Sequence, residues 1–255
     1  MNMIRLLVAV FFSAALHAAE LVLTLREKPV RVATSSSAEI FPESWRGGKV
    51  AASAEALPED RREEALRVMD SALAKYPAEV LSKHLRTVYL LGELRNRGVI
   101  TSGTNSRTAV YVKIGPVEKG FTARHNEGVF HAEISSILIR NRPQFLDREA
   151  WKAANPPGFT YLGDGVDAVK QGKARTKADS SLNAQGFLSQ YSQSTLENDF
   201  NGYAARLWTG DAALWQLAKE YPPIQRKLAV VLHFYLQLHA KLDEAFFRSL
   251  QSKPD

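Results

Sequence analysis

Apolar and polar positions change period several times along the chain, and each change marks an element. Residues 20–34, "ELVLTLREKPVRVAT", alternate, which predicts one or two strands separated by a turn at Lys28-Pro29. Residues 35–53 lose the period, and Pro42 with the Gly47-Gly48 pair punctuates what reads as a loop. After Pro58, the spacing of Ala65, Val68, Met69 and Leu73 predicts a helix. Its acidic first turn, Glu59 and Asp60, suits the helix dipole, and Pro77 ends it. A second helix is predicted over 78–98, with Val80, Leu81, Leu85, Val88 and Leu91 inward and Gly98 as the stop. Ser102-Gly103-Thr104-Asn105 supplies turn chemistry, and 108–114 then reads as a strand.

The second half is mostly helical. A helix is expected over 123–139, a short one near 147–154 stopped by Pro156-Pro157, and further ones over 194–207, 210–220 and a pair within 222–250. Between them, 163–185 is a polar connection; a segment of that size is a lid, a binding loop or disordered. No repeat is present. A few strands among many helices make the fold α+β with helix dominant, as a single domain over 19–255.

The N-terminus adds a compartment. "MNMIRLLVAVFFSAALHAAE" has one basic residue, Arg5, an apolar run from Leu6 to Leu16, and small residues at Ala18 and Ala19. That is the layout of a secretory signal peptide, with cleavage expected after Ala18, so the chain is expected to be exported, to the periplasm or the extracellular space. The run is shorter than the ~20 residues of a stable span, and no later stretch is long and apolar enough to serve as one. The formal charge is +6, or +5 once Arg5 is removed, with basic residues scattered. The scatter argues against a nucleic-acid partner. Cysteine is absent, which excludes disulfides, thiolate metal sites and lipid attachment at cysteine. Neither composition nor pattern sets an oligomeric state.

The informative chemistry lies in "GVFHAEISSILIRN", 128–141. At about 100° per residue, Phe130, Ile134, Ile137 and Leu138 gather into an apolar stripe, with Glu133 at its edge beside Ala132 and Ser136. His131 falls about 200° from Glu133, so the two cannot easily grip one ion from the same helix, whose paired ligands want i, i+4 spacing. Read from the residues alone, Glu133 is either a structural carboxylate or the survivor of a zinc helix.

The stretch from "LPEDRREEALRVMDSALAKYP" through "FHAEISSIL", with "GFLSQYSQSTLENDFNGYAARLW" downstream, resembles zinc-dependent metallopeptidases of the gluzincin type over about residues 57–210. The resemblance is in pattern and order. It implies a zincin-like fold with a small sheet beside the site helix. His131 then matches a non-ligand histidine, Ala132 and Ser136 stand at the two helical ligand positions, and Glu133 matches the general base. In "ENDFNGY" one register leaves Gly202 at the last ligand position, with Glu197 and Asp199 as nearby carboxylates. Tyr191 corresponds to an oxyanion-steadying tyrosine, with Tyr203 as a substitute. The cofactor implied is zinc in a degenerate centre, with His131, Glu197 and Asp199 as the remaining candidate metal ligands and Glu133 and Tyr191 as candidate catalytic residues.

Two functions follow from that resemblance. One is a metallopeptidase-like hydrolase with rearranged ligands; the other is a non-catalytic envelope binding or scaffold protein, a pseudoenzyme. Either would hold a peptide or protein ligand in a cleft between an edge strand at 108–115 and the helix at 123–139, closed by 163–185. Weaker candidates are His125 with Glu127, the His233/His239 pair, and Asp164 with Asp167, which lack the ligand order of a calcium loop. Trp208 and Trp215 are expected to pack in the core.

Overall fold

A computed structural model describes residues 22–24, 29–172, 175, 177 and 179–251. The expected signal peptide lies outside the described residues. The order is β1 (Val22–Thr24), β2 (Arg31–Ala33), β3 (Ser53–Glu55), α1 (Glu59–Ala74), α2 (Ala78–His84), β4 (Thr87–Leu91), β5 (Glu93–Asn96), β6 (Val99–Ile100), β7 (Gly103–Asn105) and β8 (Ala109–Lys113). Then come α3 (Ala123–Asn141), α4 (Arg148–Ala153), α5 (Gly165–Lys170), α6 (Ser180–Asn183), α7 (Leu196–Trp208), α8 (Ala212–Glu220), α9 (Pro222–Leu238) and α10 (Glu244–Ser249). The fold is α+β and rich in helix, with two small sheets.

The larger sheet runs β1-β2-β4-β8-β7, parallel at its centre (β2, β4, β8) and antiparallel at both edges. The smaller is an antiparallel β3-β5-β6 arrangement. Here the sequence expectation of a helix over 78–98 is overturned. The helix stops at His84, and Thr87–Leu91 becomes the central strand β4. Val88, Leu90 and Leu91 are fully buried, because a central parallel strand is covered on both faces and reads as a continuous apolar run. Val88 and Leu91 also match helical spacing, so period alone cannot separate the two. The expected turn at 102–105 is likewise strand β7. The strand expected at 108–114 exists, but it is an inner strand between β4 and β7; the edge belongs to β7.

Helix α3 runs through the middle of the molecule. It packs on the sheet through β7 and β8, on α1 and most extensively on α7. Phe130, Ile134, Ile137, Leu138 and Ile139 are buried, and so are His131, Ser135 and Ser136. A helix enclosed on several sides needs no clean amphipathic stripe, which is why its apolar positions spread beyond the single stripe expected. Each large apolar side chain buried here contributes about 1.5–3 kcal/mol. The helix starts at Thr122, whose hydroxyl accepts the His125 N–H at 3.2 Å. On its far side an aromatic core forms: Tyr76 stacks on Trp208 at 3.9 Å between centroids, and Trp208 meets Tyr235 edge-on at 5.3 Å. Trp215 is also buried.

Candidate functional site

Strand β7 lies so close to α3 that only glycine fits at its start. A Cβ on Gly103 would sit 2.6 Å from Val129 Cγ1 and 2.9 Å from Glu133 Cγ. The close approach explains a glycine inside a strand and brings Asn105, two residues on, over the same helix. The Asn105 side-chain amide donates to Glu133 Oε2, and its carbonyl accepts from Arg140. Arg140 also donates to the Ser106 carbonyl at 3.2 Å and faces Glu197 at 3.8 Å. One polar chain therefore links Glu133 on α3 to Glu197 on α7 through Asn105 and Arg140.

Helix α7 is capped by Thr195, which accepts the Asn198 N–H at 3.0 Å. It runs antiparallel to α3, since Glu197 sits by Arg140 whereas Asn201 sits by Ser136. The Asn201 amide donates to Ser136 Oγ at 2.7 Å. Between α3, α7 and β7 opens a cleft of about 310 Å³, lined among others by Glu133, Ser136, Tyr191, Glu197 and Asn201. Its mouth is bordered by the β5–β6 hairpin and by the first turn of α5. Asp164 there pairs with Arg97 of the hairpin. Gly165 is a second enforced glycine: a Cβ would fall 2.5 Å from the Tyr191 hydroxyl and 2.6 Å from Asn198 Nδ2. The segment expected to close the cleft, 163–185, thus contributes Asp164, Gly165 and Val169 to its wall and carries α5 and α6 among its described residues. The cleft lies between β7 and α3; the placement against 108–115 is corrected by one strand.

Burial pushes the Glu133 carboxyl up to about 7. The Asn105 hydrogen bond opposes that rise, the Glu197 charge adds to it, and Arg140 pulls it back. Burial, with the carboxylates of Glu133, Asp164 and Glu197, raises the Tyr191 hydroxyl to about 12, so it carries its proton at neutral pH. A carboxyl poised near neutrality and a protonated phenol line one space.

The other two sequence candidates are not brought there. His131 is fully buried on the opposite side of α3, with Nδ1 2.9 Å from the Tyr76 hydroxyl and Nε2 3.3 Å from Glu127 Oε1. Burial lowers it to about 4, and Glu127 only partly offsets this, so the ring is neutral. Glu127 is itself tied to Lys75. Asp199 is fully buried on the core face of α7. It accepts from Lys227 Nζ at 2.6 Å and from the Tyr161 hydroxyl at 2.8 Å. The residues do not fit a zinc tripod. Ala132 has no donor atom, the Ser136 hydroxyl is engaged by Asn201, and His131 and Asp199 face the core. Among the described residues no three His, Cys, Asp or Glu side chains converge as a metal-holding group.

Sequence reasoning missed Asn105, Arg140 and Asn201. Asn105 falls in the expected turn and no local pattern singles out Arg140; only the pairing of β7 with β8 brings them together. Strand β7 supplies one further feature. The Lys113 N–H bonds the Ser102 carbonyl and the Ser106 N–H bonds the Ala109 carbonyl, each at 2.8 Å. By antiparallel alternation, 102, 104 and 106 face β8, while Gly103 and Asn105 turn their backbone groups outward. The Gly103 carbonyl takes the Thr101 hydroxyl at 2.8 Å.

No family model and no curated protein matches the chain. Among solved structures it is similar to the crystal structure of a "putative zinc-binding metallo-peptidase" from Bacteroides caccae ATCC 43185, at 16% identity. That comparison has a TM-score of 0.47 and covers 73% of this chain and 75% of that one.

Proposed function

We propose that the chain is an exported peptide-binding protein that receives an extended segment along the outer edge of β7, over the Glu133 cleft, without using zinc. The observation that carries this reading is the edge itself. Gly103 and Asn105 point backbone donors and acceptors away from β8 beside a cleft of about 310 Å³. An added strand would meet the Gly103 N–H and the Asn105 N–H and carbonyl by main-chain hydrogen bonds, the Gly103 carbonyl being held by Thr101, and alternate side chains would enter the cleft. Two of the exposed large apolar side chains, Ile100 and Val169, stand at its mouth and would cover an apolar ligand side chain. The resemblance to gluzincin sequences is in keeping with a groove between an edge strand and the site helix, although it sets that strand at 108–115 and not at β7.

Titration calorimetry of the mature protein with a library of extended peptides tests the reading. Binding that survives exhaustive chelation and is lost in Ile100→Asp, which places a charge at the mouth, is the expected result. Binding that disappears on chelation and returns with zinc would sink it.

The near-neutral Glu133 favours a second reading, residual hydrolysis. Glu133 would take a proton from a water attacking the bound carbonyl while the protonated Tyr191 donates a hydrogen bond to the developing oxyanion, and Glu133 would then pass that proton to the leaving amine as the C–N bond breaks. Peptide cleavage abolished in Glu133→Gln while peptide binding persists would favour it.

A further inference from the structure

Hydrogen-bond supply in the cleft is lopsided. Each amide and guanidinium side chain in its lining already donates at least one hydrogen bond within the protein. Arg97 is on Asp164, Arg140 on Asn105 and Ser106, and Asn105 on Glu133. Asn198 is on Ser194 at 2.9 Å, Asn201 on Ser136 at 2.7 Å, and Asn96 on Thr104 at 3.4 Å. The acceptors are not matched in the same way. Asn96 Oδ1 and Asn201 Oδ1 are buried with no partner, and Asn201 is only 8% exposed. Glu133, which lines the cleft, gives Oε2 to Asn105, and its Oε1 lies beside Gly103 outside that bond.

A buried acceptor without a hydrogen bond is costly to keep, and a site that retains two invites a ligand bringing donors. Charge points the same way. Three carboxylates (Glu133, Asp164, Glu197) line the cleft against two guanidiniums, and each guanidinium already faces an acid or amide oxygen. This acidic hollow sits on a chain whose formal charge is +6.

We infer that the cleft is a receptor for a primary ammonium group, held by Glu133 and Asn201 where α3 and α7 meet. The inference rests on the peptide reading for the rest of the ligand: the ammonium is a lysine side chain or the amino terminus of the segment lying along β7. A compact point charge with three rotatable donors suits single oxygens presented by two different helices. A guanidinium wants a coplanar pair from one carboxylate. A calcium ion would require six to eight oxygens around one point, and the Ser136 and Asn105 side chains are already engaged with Asn201 and with Glu133 and Arg140. Binding an ammonium would also return the Glu133 proton to solvent, so affinity rises as pH increases through about 7.

The test is calorimetry on the mature, metal-stripped protein with four versions of one apolar-rich extended peptide. These are acetylated without lysine, the same with a free amino terminus, acetylated with one lysine, and the last with that lysine acetylated. The expected result is about tenfold tighter binding by one or both ammonium-bearing versions, and which of the two binds identifies the source. Glu133→Gln should remove the preference, and Asn201→Leu should reduce it. Equal binding by all four versions overturns the ammonium site and leaves the peptide reading standing. Binding of pentylamine with no peptide binding does the reverse. A preference for a fifth peptide, acetylated and carrying one aspartate in place of the lysine, or stoichiometric calcium uptake by the peptide-free protein, overturns the ammonium site whether or not the variants fold.

Discussion

Glu197 and Asp199 stand two residues apart on α7, and Glu133 and His131 stand two apart on α3. In each pair one member reaches the cleft and the other is sealed in the core. Residues two apart on a helix are about 200° apart in projection, so a helix packed between a core and a groove sends them to opposite solvents. The consequences differ in kind. Asp199 is anchored by Lys227, which is fully buried, donates to the Gly186 carbonyl at 2.9 Å and lies 3.9 Å over the Phe187 ring. Burial holds the Asp199 carboxyl above its usual range in spite of that ion pair. Glu133 has an amide partner and a distant guanidinium, and faces a space that a ligand can enter. A carboxylate completed by its own protein is structural; one left incomplete beside a cavity is available for chemistry.

The largest expected effect breaks the core side of the comparison. Asp199→Ala leaves Lys227 buried without its counter-ion and should cost about 3–5 kcal/mol in denaturant unfolding. Adding Lys227→Met should recover much of that loss. A loss below 1 kcal/mol for the single variant would mean that the pair is not the pin described.

The cleft side should behave oppositely. The Glu133 carboxyl is raised in the folded state, so the folded protein holds the extra proton. Its contribution is therefore fully present below the unfolded value and is lost as pH rises towards about 7. Glu133→Gln should accordingly be near neutral for stability at pH 5 and stabilising by about 1–3 kcal/mol at pH 8. Thermal melts of the two proteins across that window measure it, and a variant destabilised at pH 8 would place Glu133 among the structural carboxylates.

Gly165→Ala sharpens the cleft boundary. The added methyl must displace both the Tyr191 hydroxyl and the Asn198 amide, and should cost about 1–3 kcal/mol while weakening peptide binding. Unchanged binding would remove Tyr191 from the wall. Smallest is Arg97→Gly. The Arg97–Asp164 pair is solvent-exposed, at 43% and 40%, and such pairs contribute about 0–1 kcal/mol. Arg97 also holds a positive φ of 52°, which glycine adopts freely. The two terms nearly cancel, so a stability change within about 0.5 kcal/mol is expected.

The helices ending at defined stops were legible in the sequence, because Pro77, Pro156 and the capped starts act locally. The strand expected over 108–114 also survives as β8, but its rank in the sheet does not. Which strand forms the edge depends on a β7–β8 pairing that no local pattern encodes. Strand β4 was hidden because a doubly covered strand and a helix can share the same apolar spacing. Glu133 could be singled out from its neighbours on α3. Asn105 and Arg140 could not, because they reach Glu133 across 28 residues and through each other.

The sequence by itself determined much of the helical character and the presence of Ala132 and Ser136 at the two helical ligand positions, since those follow from residue type and short-range spacing. Only the tertiary structure decided which faces of α3 and α7 meet the core and which meet the groove, and that β7 presents the open edge. Those are matters of long-range packing, in which a glycine's missing Cβ lets one strand settle onto one helix and fixes the surroundings of everything beside it.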